Sequence, residues 1–329
     1  MDKKKSQKIA AITVTFNTSQ YVIRAIEAIE KQTRKVDNIV VVDNCSSEAE
    51  RSRIENYICK YPNIELIRLD ENTGGAGGFS RGMEYARNSL HPDWFWLMDD
   101  DACPEENCLE ELLKGAGAEE DVGCLIPLIR GMDRGQYQMY HYKRESRFLV
   151  RDIPAVGALK DIPPRVSVES SSFVGPLIAG TAVEKLGIVD GSLFIYGDDL
   201  EYIYRISRRF KVYLIRDAVI NHRDILTDGT IVSPLAWWKD YYQYRNRLFF
   251  ITKYAGSGRE RLIGKAIFGL MLVKRMLFAL IQKEYAGYRK KRIRLLWMAW
   301  QDGNHNKRGR TIDPVEYCAG IKGTGGDNG

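Results

Sequence analysis

The sequence lacks the closely spaced cysteine pairs that are typical of disulfide scaffolds and cysteine-rich zinc sites. Its 329 residues include six cysteines, none of them in a Cys-x-x-Cys pair. Neither a disulfide framework nor a cysteine-rich zinc site is therefore expected. This pattern favours a reducing compartment.

Long uncharged apolar runs are also missing. The most apolar segment, Leu262–Ile281, is interrupted by Lys265, Lys274 and Arg275, and its longest uncharged run is Ala266–Val273. A membrane-spanning helix needs about 20 apolar residues, so this segment is too short to span. We expect an amphipathic helix on a membrane surface instead, because long basic side chains reach lipid headgroups while the apolar face dips below them.

No secretory signal is expected at the start of the chain. The basic segment 1–8 is followed by an apolar stretch, residues 9–16, that is too short and has no small-residue cleavage site. With 44% hydrophobic and 28% charged residues, the composition excludes a disordered chain and a polytopic membrane protein. The length predicts about two domains, and we expect a cytoplasmic location.

Positive charge is unevenly distributed along the chain. Residues 237–296 contain fifteen Lys or Arg and three Asp or Glu, whereas residues 1–236 are net negative. The asymmetry predicts two regions, 1–236 and 237–329, the second of which meets an anionic surface. Nucleic acid and lipid headgroups are the two candidates. The Gly-rich end, residues 323–329, is expected to be disordered.

The first region alternates strand-like and helix-like segments in the manner of an open α/β sheet. Short apolar, β-branched runs predict strands, and segments with helical periodicity separate them. Later apolar segments predict additional strands of a mixed sheet, whereas the chain after residue 237 is helical in character. The predicted strands are Ile9–Phe16, Ile39–Val42, Ile64–Leu69, Trp94–Met98, Phe173–Ala182, Leu193–Tyr196 and Val212–Ile215.

Three consecutive aspartates follow the strand predicted at Trp94–Met98. Alternation along an extended chain places Asp99 and Asp101 on one side, where two carboxylates repel each other unless a cation lies between them. Mg²⁺ or Mn²⁺ with oxygen ligands would fill that position and would bridge a diphosphate. The alternative is a solvated acidic turn that caps a helix starting near Pro104.

The segment Asn72–Gly82 is rich in glycine and is expected to form a turn that opens a helix over Arg81–Ser89. Glycines allow backbone N–H groups to approach a ligand closely, and Arg81 would lie one helical turn in, within reach of a phosphate. The segment lacks a Gly-Lys-Ser/Thr ending, and residues 15–19 after the first strand contain no glycine. P-loop and dinucleotide-binding fingerprints are therefore excluded. A plain flexible turn is the alternative.

A second acidic cluster, Gly197–Tyr202, is expected to close an apolar strand. An Asp in this cluster would remain ionised near a cation-bound diphosphate and could act as a general base. The alternative is a helix N-terminus, where acidic residues are favoured. His222 is one of only four histidines, and it could complete a metal site or play a structural role.

Taken in order, these motifs resemble the family 2 glycosyltransferases, specifically the galactofuranosyltransferase-like branch. The resemblance covers residues 9–222, and Tyr242–Asn246 also resembles that branch and its rhamnosyltransferase relatives. It implies a GT-A fold, which is a mixed sheet with helices on both faces, an inverting transfer from a nucleotide sugar, and a divalent metal. The motifs are Thr15–Asn17, Val41–Asn44, Asn72–Gly78, Asp99–Asp101, Asp198–Tyr202 and His222.

The resemblance also implies roles for individual residues. It places Asp43 against the uracil or ribose of the donor and makes Asp199 the catalytic base, with Asp198 as its rival. The alternative for Asp43 is a helix-capping turn with Asn44 and Ser46. The implied nucleotide-sugar-binding residues are Thr15, Asn17, Asp43, Asn72, Gly75, Arg81, Asp99 and Asp100, and the implied ligands of Mn²⁺ or Mg²⁺ are Asp99, Asp101 and His222.

The sequence thus predicts a glycosyltransferase, peripheral on the inner face of the plasma membrane, that moves galactofuranose from its UDP donor to a lipid-linked bacterial polysaccharide. The alternative donor is dTDP-rhamnose. Trp237 and Trp238 could stack on acceptor sugars or anchor the chain at the membrane interface.

A nucleic-acid-binding protein is the hypothesis of a different class. Against it, the basic residues of the second region are interleaved with Leu, Ile, Phe and Met at helical spacing, which favours a lipid interface and no nucleic-acid partner. The segment Leu262–Ile281 could also pack on the catalytic domain or on a second copy in a homo-oligomer.

Overall fold

The computed structural model describes residues 7–117, 119–224 and 233–322, and the tail expected to be disordered lies outside these ranges. The strands are β1 (Ile9–Thr15), β2 (Asn38–Asp43), β3 (Ile64–Arg68), β4 (Trp94–Asp99), β5 (Ala102–Pro104), β6 (Val122–Gly131), β7 (Lys143–Glu145), β8 (Asp152–Pro154), β9 (Arg165–Ser167), β10 (Val174–Ala179) and β11 (Lys211–His222). The helices are α1 (Ser19–Glu30), α2 (Glu48–Ile58), α3 (Gly74–Tyr85), α4 (Cys108–Ala116), α5 (Gly180–Leu186), α6 (Asp198–Ser207), α7 (Trp237–Tyr254), α8 (Gly258–Ile281), α9 (Arg289–Asn304) and α10 (Pro314–Lys322).

These elements form two compact units. The first comprises residues 1–144, 154–191 and 199–225, and it contains the large sheet. The second comprises residues 145–153, 192–198 and 226–329, and it contains helices α7 to α10. The second unit therefore includes a short segment, 192–198, that precedes α6 in the chain.

The first unit is built on a nine-stranded mixed sheet. Eight strands follow the order β3-β2-β1-β4-β10-β6-β11-β5, and β9 pairs with β11. Strands β1 to β4 run parallel to one another, whereas β10 runs antiparallel to its neighbours β4 and β6. The apolar runs that predict β1, β2 and β4 are almost wholly buried, as expected for parallel strands covered on both faces.

Helices cover both faces of the parallel part of the sheet. The chain moves from β1 outward to β3 and then returns past β1 to β4. Because such crossovers are right-handed, the reversal places α1 and α2 on one face and α3 on the other. The prediction of a mixed α/β sheet with helices on both faces is confirmed.

Glycines let α3 pack closely on this sheet. A Cβ at Gly82 would lie 2.6 Å from Ile12 Cγ2, and one at Gly78 would lie 2.3 Å from Val14 Cγ1. At Gly75, by contrast, nothing lies within 4 Å of the added atom. Gly78 and Gly82, which lie in the glycine-rich segment Asn72–Gly82 that was expected to approach a ligand, therefore serve helix–sheet packing.

Two local predictions were wrong. The helix predicted over Arg81–Ser89 begins earlier, at Gly74, and a π-helical turn over Ala86–Leu90 follows α3. Leu193–Tyr196 is not a strand, because Phe194 and Tyr196 have φ angles of 67° and 61°, which no strand adopts. Asp198 and Asp199 accordingly begin α6 and do not close a strand.

The second unit is held together by buried aromatic and charged side chains. Trp237 is 1% exposed, and the Arg292 guanidinium lies 5.0 Å from its ring centroid and 2.6 Å from Asp240 Oδ2. Arg247 Nη1 lies 2.7 Å from Glu145 Oε2, which anchors the segment 145–153 to α7. In the described part of the chain, no helix is both long and apolar enough to cross a membrane.

The packing of α3 leads to a stability prediction. Gly82→Ala adds a methyl group against the β-branched Ile12 and Val42, which are buried in the sheet and have little freedom to move. We expect a loss of about 1–3 kcal/mol in the free energy of unfolding, the usual cost of overpacking. Denaturant titration followed by circular dichroism measures it.

Gly75→Ala is the matched control in the same helix. Its methyl group enters open space, so stability should be unchanged or rise by up to about 1 kcal/mol. Equal losses for both variants would contradict the packing explanation.

Candidate active site

The site lies at the carboxyl ends of the parallel strands. Thr15, Asp43 and Asp99 are the last residues of β1, β2 and β4, and the strand order places them side by side at one edge of the sheet. The chain leaves β1 towards β2 on one side, whereas β4 lies on the other. Ligands of open α/β sheets bind in the crevice outside such a switch point.

A three-residue cluster forms at this edge. Asp99, Asp101 and His222 each offer a ligand atom, and these atoms all lie within 4.8 Å of one another. His222 reaches the cluster because β11 pairs with β5 in the register that sets it opposite Ala102. Its Nε2 then lies 3.3 Å from Asp101 Oδ1.

The chemistry of the cluster fits a divalent cation. Burial raises the pKa of the Asp101 carboxyl, but the hydrogen bond to His222 and the charges of His222 and Arg223 outweigh it, so that the pKa lies below its usual value. The carboxylate is thus in the ionised form that ligates metals. Two carboxylates and one imidazole form a mixed oxygen and nitrogen ligand set that suits a divalent ion such as Mn²⁺.

Sequence patterns did not reveal the group that orients His222. Gln138 Oε1 lies 3.1 Å from His222 Nδ1 and 2.9 Å from His141 Nε2, while its Nε2 donates to the carbonyl oxygen of Arg223 over 3.3 Å. The hydrogen bond to Asp101 needs a proton on Nε2. In the neutral form whose only proton lies on Nδ1 and is accepted by Gln138 Oε1, Nε2 would instead offer its lone pair to a cation. A metal-ligating histidine usually donates its second N–H in this way.

His141 extends this network. Its Nδ1 lies 2.6 Å from the hydroxyl oxygen of Ser172, and its ring meets that of His222 edge to face at 5.7 Å. Burial, followed by the proximity of His222 and Lys143, lowers the pKa of His141 to about 3, so this imidazole is neutral. No signal in the sequence separates Gln138, His141 and Ser172 from an ordinary loop.

Asp100 points away from the cluster formed by its two neighbours. Its carboxylate accepts a hydrogen bond from the Thr18 hydroxyl, which lies 3.0 Å from Thr15 Oγ1. Burial raises the pKa of Asp100 despite these hydroxyl partners. The structure therefore separates Asp100 from Asp99 and Asp101 and connects it to the end of β1.

Asp43 is fully buried at the end of β2. Its Oδ1 accepts a hydrogen bond from the backbone N–H of Ser46 over 2.9 Å, which is the capping turn considered as the alternative. Its Oδ2 is also buried, and within the described residues it has no hydrogen-bond partner. A buried carboxylate oxygen without a partner is costly, so a ligand donor would satisfy it.

Asparagines connect the loops of this edge. Asn17 Oδ1 accepts from Ser47 N–H over 2.8 Å. Asn44 Nδ2 donates to Asn72 Oδ1 over 3.2 Å, and Asn72 Oδ1 also accepts from the backbone N–H of Gly74. Asn17 and Asn72 therefore shape the loops, and Gly75 lies in the first turn of α3.

Arg81 lies farther along α3 than expected. It is seven residues after Gly74, two turns into the helix, and its guanidinium is exposed and 2.5 Å from Glu84 Oε2. The expectation that Arg81 lies one turn in was wrong.

The segment that leads to Asp198 is held by α7. Asn246 Nδ2 donates to the carbonyl oxygens of Leu193, Ile195 and Tyr196 over 2.6–3.1 Å. Arg245, only 1% exposed, donates to the Leu193 carbonyl over 2.9 Å. These two residues of the Tyr242–Asn246 motif thus fix the turn before the acidic pair.

The two members of the acidic pair differ in exposure. Asp198 is 6% exposed, whereas Asp199 is only partly buried and its Oδ1 accepts from the backbone N–H of Leu200.

The two neighbouring tryptophans, Trp237 and Trp238, also differ in exposure. Trp237 is buried against Tyr285 and Arg292, and Trp238 is partly exposed.

Comparisons with known proteins show similarity to glycosyltransferases. The model of Glycosyl transferase family 2 matches residues 10–161. Galactofuranosyltransferase GlfT1 of Mycolicibacterium smegmatis is 27% identical over 207 residues, which are 62% of this chain and 66% of that protein. Glycosyltransferase GlyG of Streptococcus pneumoniae is 22% identical over 71% of this chain and 77% of its own.

Solved structures share the fold. GalNAc-T7 with UDP, GalNAc and Mn²⁺ superimposes with a TM-score of 0.56 at 15% identity, covering 81% of this chain and 55% of its own. S. aureus TarS 1-349 in complex with UDP has a TM-score of 0.54 at 14% identity, covering 96% and 90%. The chain therefore has the predicted GT-A fold, residues 10–161 match the model of Glycosyl transferase family 2, and about three fifths of the chain is similar in sequence to galactofuranosyltransferases.

Proposed function

We propose that the protein is an inverting, metal-dependent glycosyltransferase that uses a nucleotide-sugar donor. The observation that carries the proposal is the convergence of Asp99, Asp101 and His222 at the carboxyl edge of the sheet. The buried, unpartnered Oδ2 of Asp43 at the same edge supports it. The family assignment favours this enzyme over the nucleic-acid-binding alternative.

We infer galactofuranose from UDP-galactofuranose as the sugar transferred. The similarity to GlfT1 supports the sugar, and the UDP in the complexes of GalNAc-T7 and TarS supports the nucleotide. dTDP-rhamnose remains the alternative donor, and it would be used by the same chemistry.

In the proposed mechanism, each residue of the edge has one task. Asp43 accepts a hydrogen bond from the uracil or ribose through Oδ2, and Thr15, Asn17, Asn72, Gly75 and Asp100 line the nucleotide sugar. Arg81, two turns into α3, is left out of this set. Asp99, Asp101 and His222 hold Mn²⁺ or Mg²⁺, which when bound offsets the charge of the leaving diphosphate.

Asp199 is the proposed base, because its side chain is more exposed than that of Asp198 and so is more accessible to an acceptor. It removes the proton of the acceptor hydroxyl as the oxygen attacks the anomeric carbon. The attack comes from the face opposite the departing UDP, so the configuration inverts.

The acceptor we propose is a lipid-linked glycan on the cytoplasmic face of the plasma membrane. Trp238 is the candidate for stacking on acceptor sugars, since the burial of Trp237 leaves it no free ring face. The basic helical region 237–296 would attach the enzyme to the anionic leaflet and so raise the local concentration of acceptor.

The metal site leads to a prediction for activity. Asp101→Ala removes one ligand from the cluster, and chelation removes the ion, so either change should abolish sugar transfer from UDP-galactofuranose. Circular dichroism should show an unchanged fold. Transfer that survives both a chelator and Asp101→Ala would contradict metal dependence.

The contact between Gln138 and His222 leads to a prediction for metal affinity. Gln138→Leu removes the acceptor for Nδ1, so we expect Mn²⁺ binding measured by titration calorimetry to weaken by about 10–100-fold, as for other groups that orient metal ligands. Gln138→Glu keeps an acceptor oxygen and should restore most of the affinity. Equal affinities of the Leu variant and the unmodified protein would contradict the role.

The base leads to a third prediction. Asp199→Asn cannot take a proton, so the kcat of transfer should fall by at least about 10²-fold while UDP-galactofuranose still binds. Asp198→Asn is the control, because it makes the same change at the neighbouring position. If Asp198→Asn shows the loss and Asp199→Asn stays active, the base is Asp198.

A further inference from the structure

The second unit contains a cavity that the proposed chemistry does not use. Its volume is about 380 Å³, which is in the range of small-molecule sites. Three cations and three apolar or aromatic side chains line it, and no described acidic side chain does. The lining residues are Met271, Lys274, Arg275, Phe278, Tyr285 and Arg292.

One of the cations has unused hydrogen-bonding capacity. The Arg292 side chain is 6% exposed, and its Nη2 pairs with Asp240. Its Nη1 is buried, and among the described residues it has no hydrogen-bond partner. A buried guanidinium nitrogen without an acceptor is costly. Arg292 lines the cavity, so an anion bound there would lie beside this incompletely paired guanidinium.

The cavity borders an exposed apolar face of α8. Met271, Lys274, Arg275 and Phe278 follow helical spacing and lie on one side of the helix. The next face carries Leu270, Val273, Leu277 and Ile281, which are 50–75% exposed. A lipid whose phosphate lies in the cavity would therefore have its acyl chains beside this face.

We propose that this cavity binds the phosphate headgroup of a membrane lipid, with the exposed face of α8 against the acyl chains. The inference rests on the proposed membrane attachment and names its binding site. A second copy of the chain is a poor occupant of this face, because residues 237–296 contain fifteen Lys or Arg against three acidic residues and two such surfaces repel each other.

The test uses the full chain and flotation with vesicles of phosphatidylcholine, with or without about a fifth of phosphatidic acid. Met271→Trp fills the cavity without changing charge, and it should weaken binding to phosphatidic acid vesicles by about tenfold or more. Leu270→Trp is the matched control, since it adds the same ring to the exposed face next to it. It should bind at least as well as the unmodified chain.

Lys274→Ser/Arg275→Ser is a second variant in case Met271→Trp disturbs α8. Both side chains are exposed, so the fold should persist while vesicle binding falls. Equal flotation of the unmodified chain, Met271→Trp and the double variant would overturn the headgroup site. Saturable binding of inorganic phosphate that depends on these residues, without vesicle binding, would also overturn it.

Hydrolysis of UDP-galactofuranose, measured in the same preparations without vesicles, separates this inference from the proposed function. Suppose that flotation depends on Met271, but the unmodified chain neither hydrolyses UDP-galactofuranose nor transfers the sugar. This result would contradict the proposed function and support the headgroup site. A chain that transfers sugar but floats independently of Met271 would overturn the headgroup site alone.

Discussion

The antiparallel pairing of β5 with β11 is the constraint on which the candidate metal site depends. This pairing sets Ala102 opposite His222 and brings the imidazole within 3.3 Å of a carboxylate that is distant in sequence. Strand β5 is only three residues long, so the site depends on a few backbone hydrogen bonds at the end of the sheet. The parallel strands then supply Asp43 and Asp99 at the same edge.

Three consecutive aspartates acquire different properties at this edge. Asp99 ends a strand, Asp100 turns to the Thr18 hydroxyl, and Asp101 meets His222. Burial raises the pKa of Asp100, whereas the hydrogen bond and charge of the imidazole keep that of Asp101 low. Neighbouring carboxyl groups with pKa values shifted in opposite directions are a common feature of sites with divided tasks.

Much of the fold could be predicted because its signals are local. The runs at β1, β2 and β4 are short, apolar and bounded by polar turns, and the sequence itself shows the aspartates that end β2 and β4. Leu193–Tyr196 has the same apolar signal, yet donors on α7 hold its carbonyls in a turn. Gln138 could not be found, because its contact with His222 arises only when distant segments meet.

The hydrogen bonds from Arg245 and Asn246 affect how this architecture could be recombined. The acceptors are carbonyl oxygens of residues 193–196, which precede α7 in the chain by about 40 residues. This segment nevertheless belongs to the same compact unit as the C-terminal helices. A chimaera that exchanges only the chain after residue 236 would leave those carbonyls without their donors. A functional graft would have to carry residues 192–198 together with the new helices.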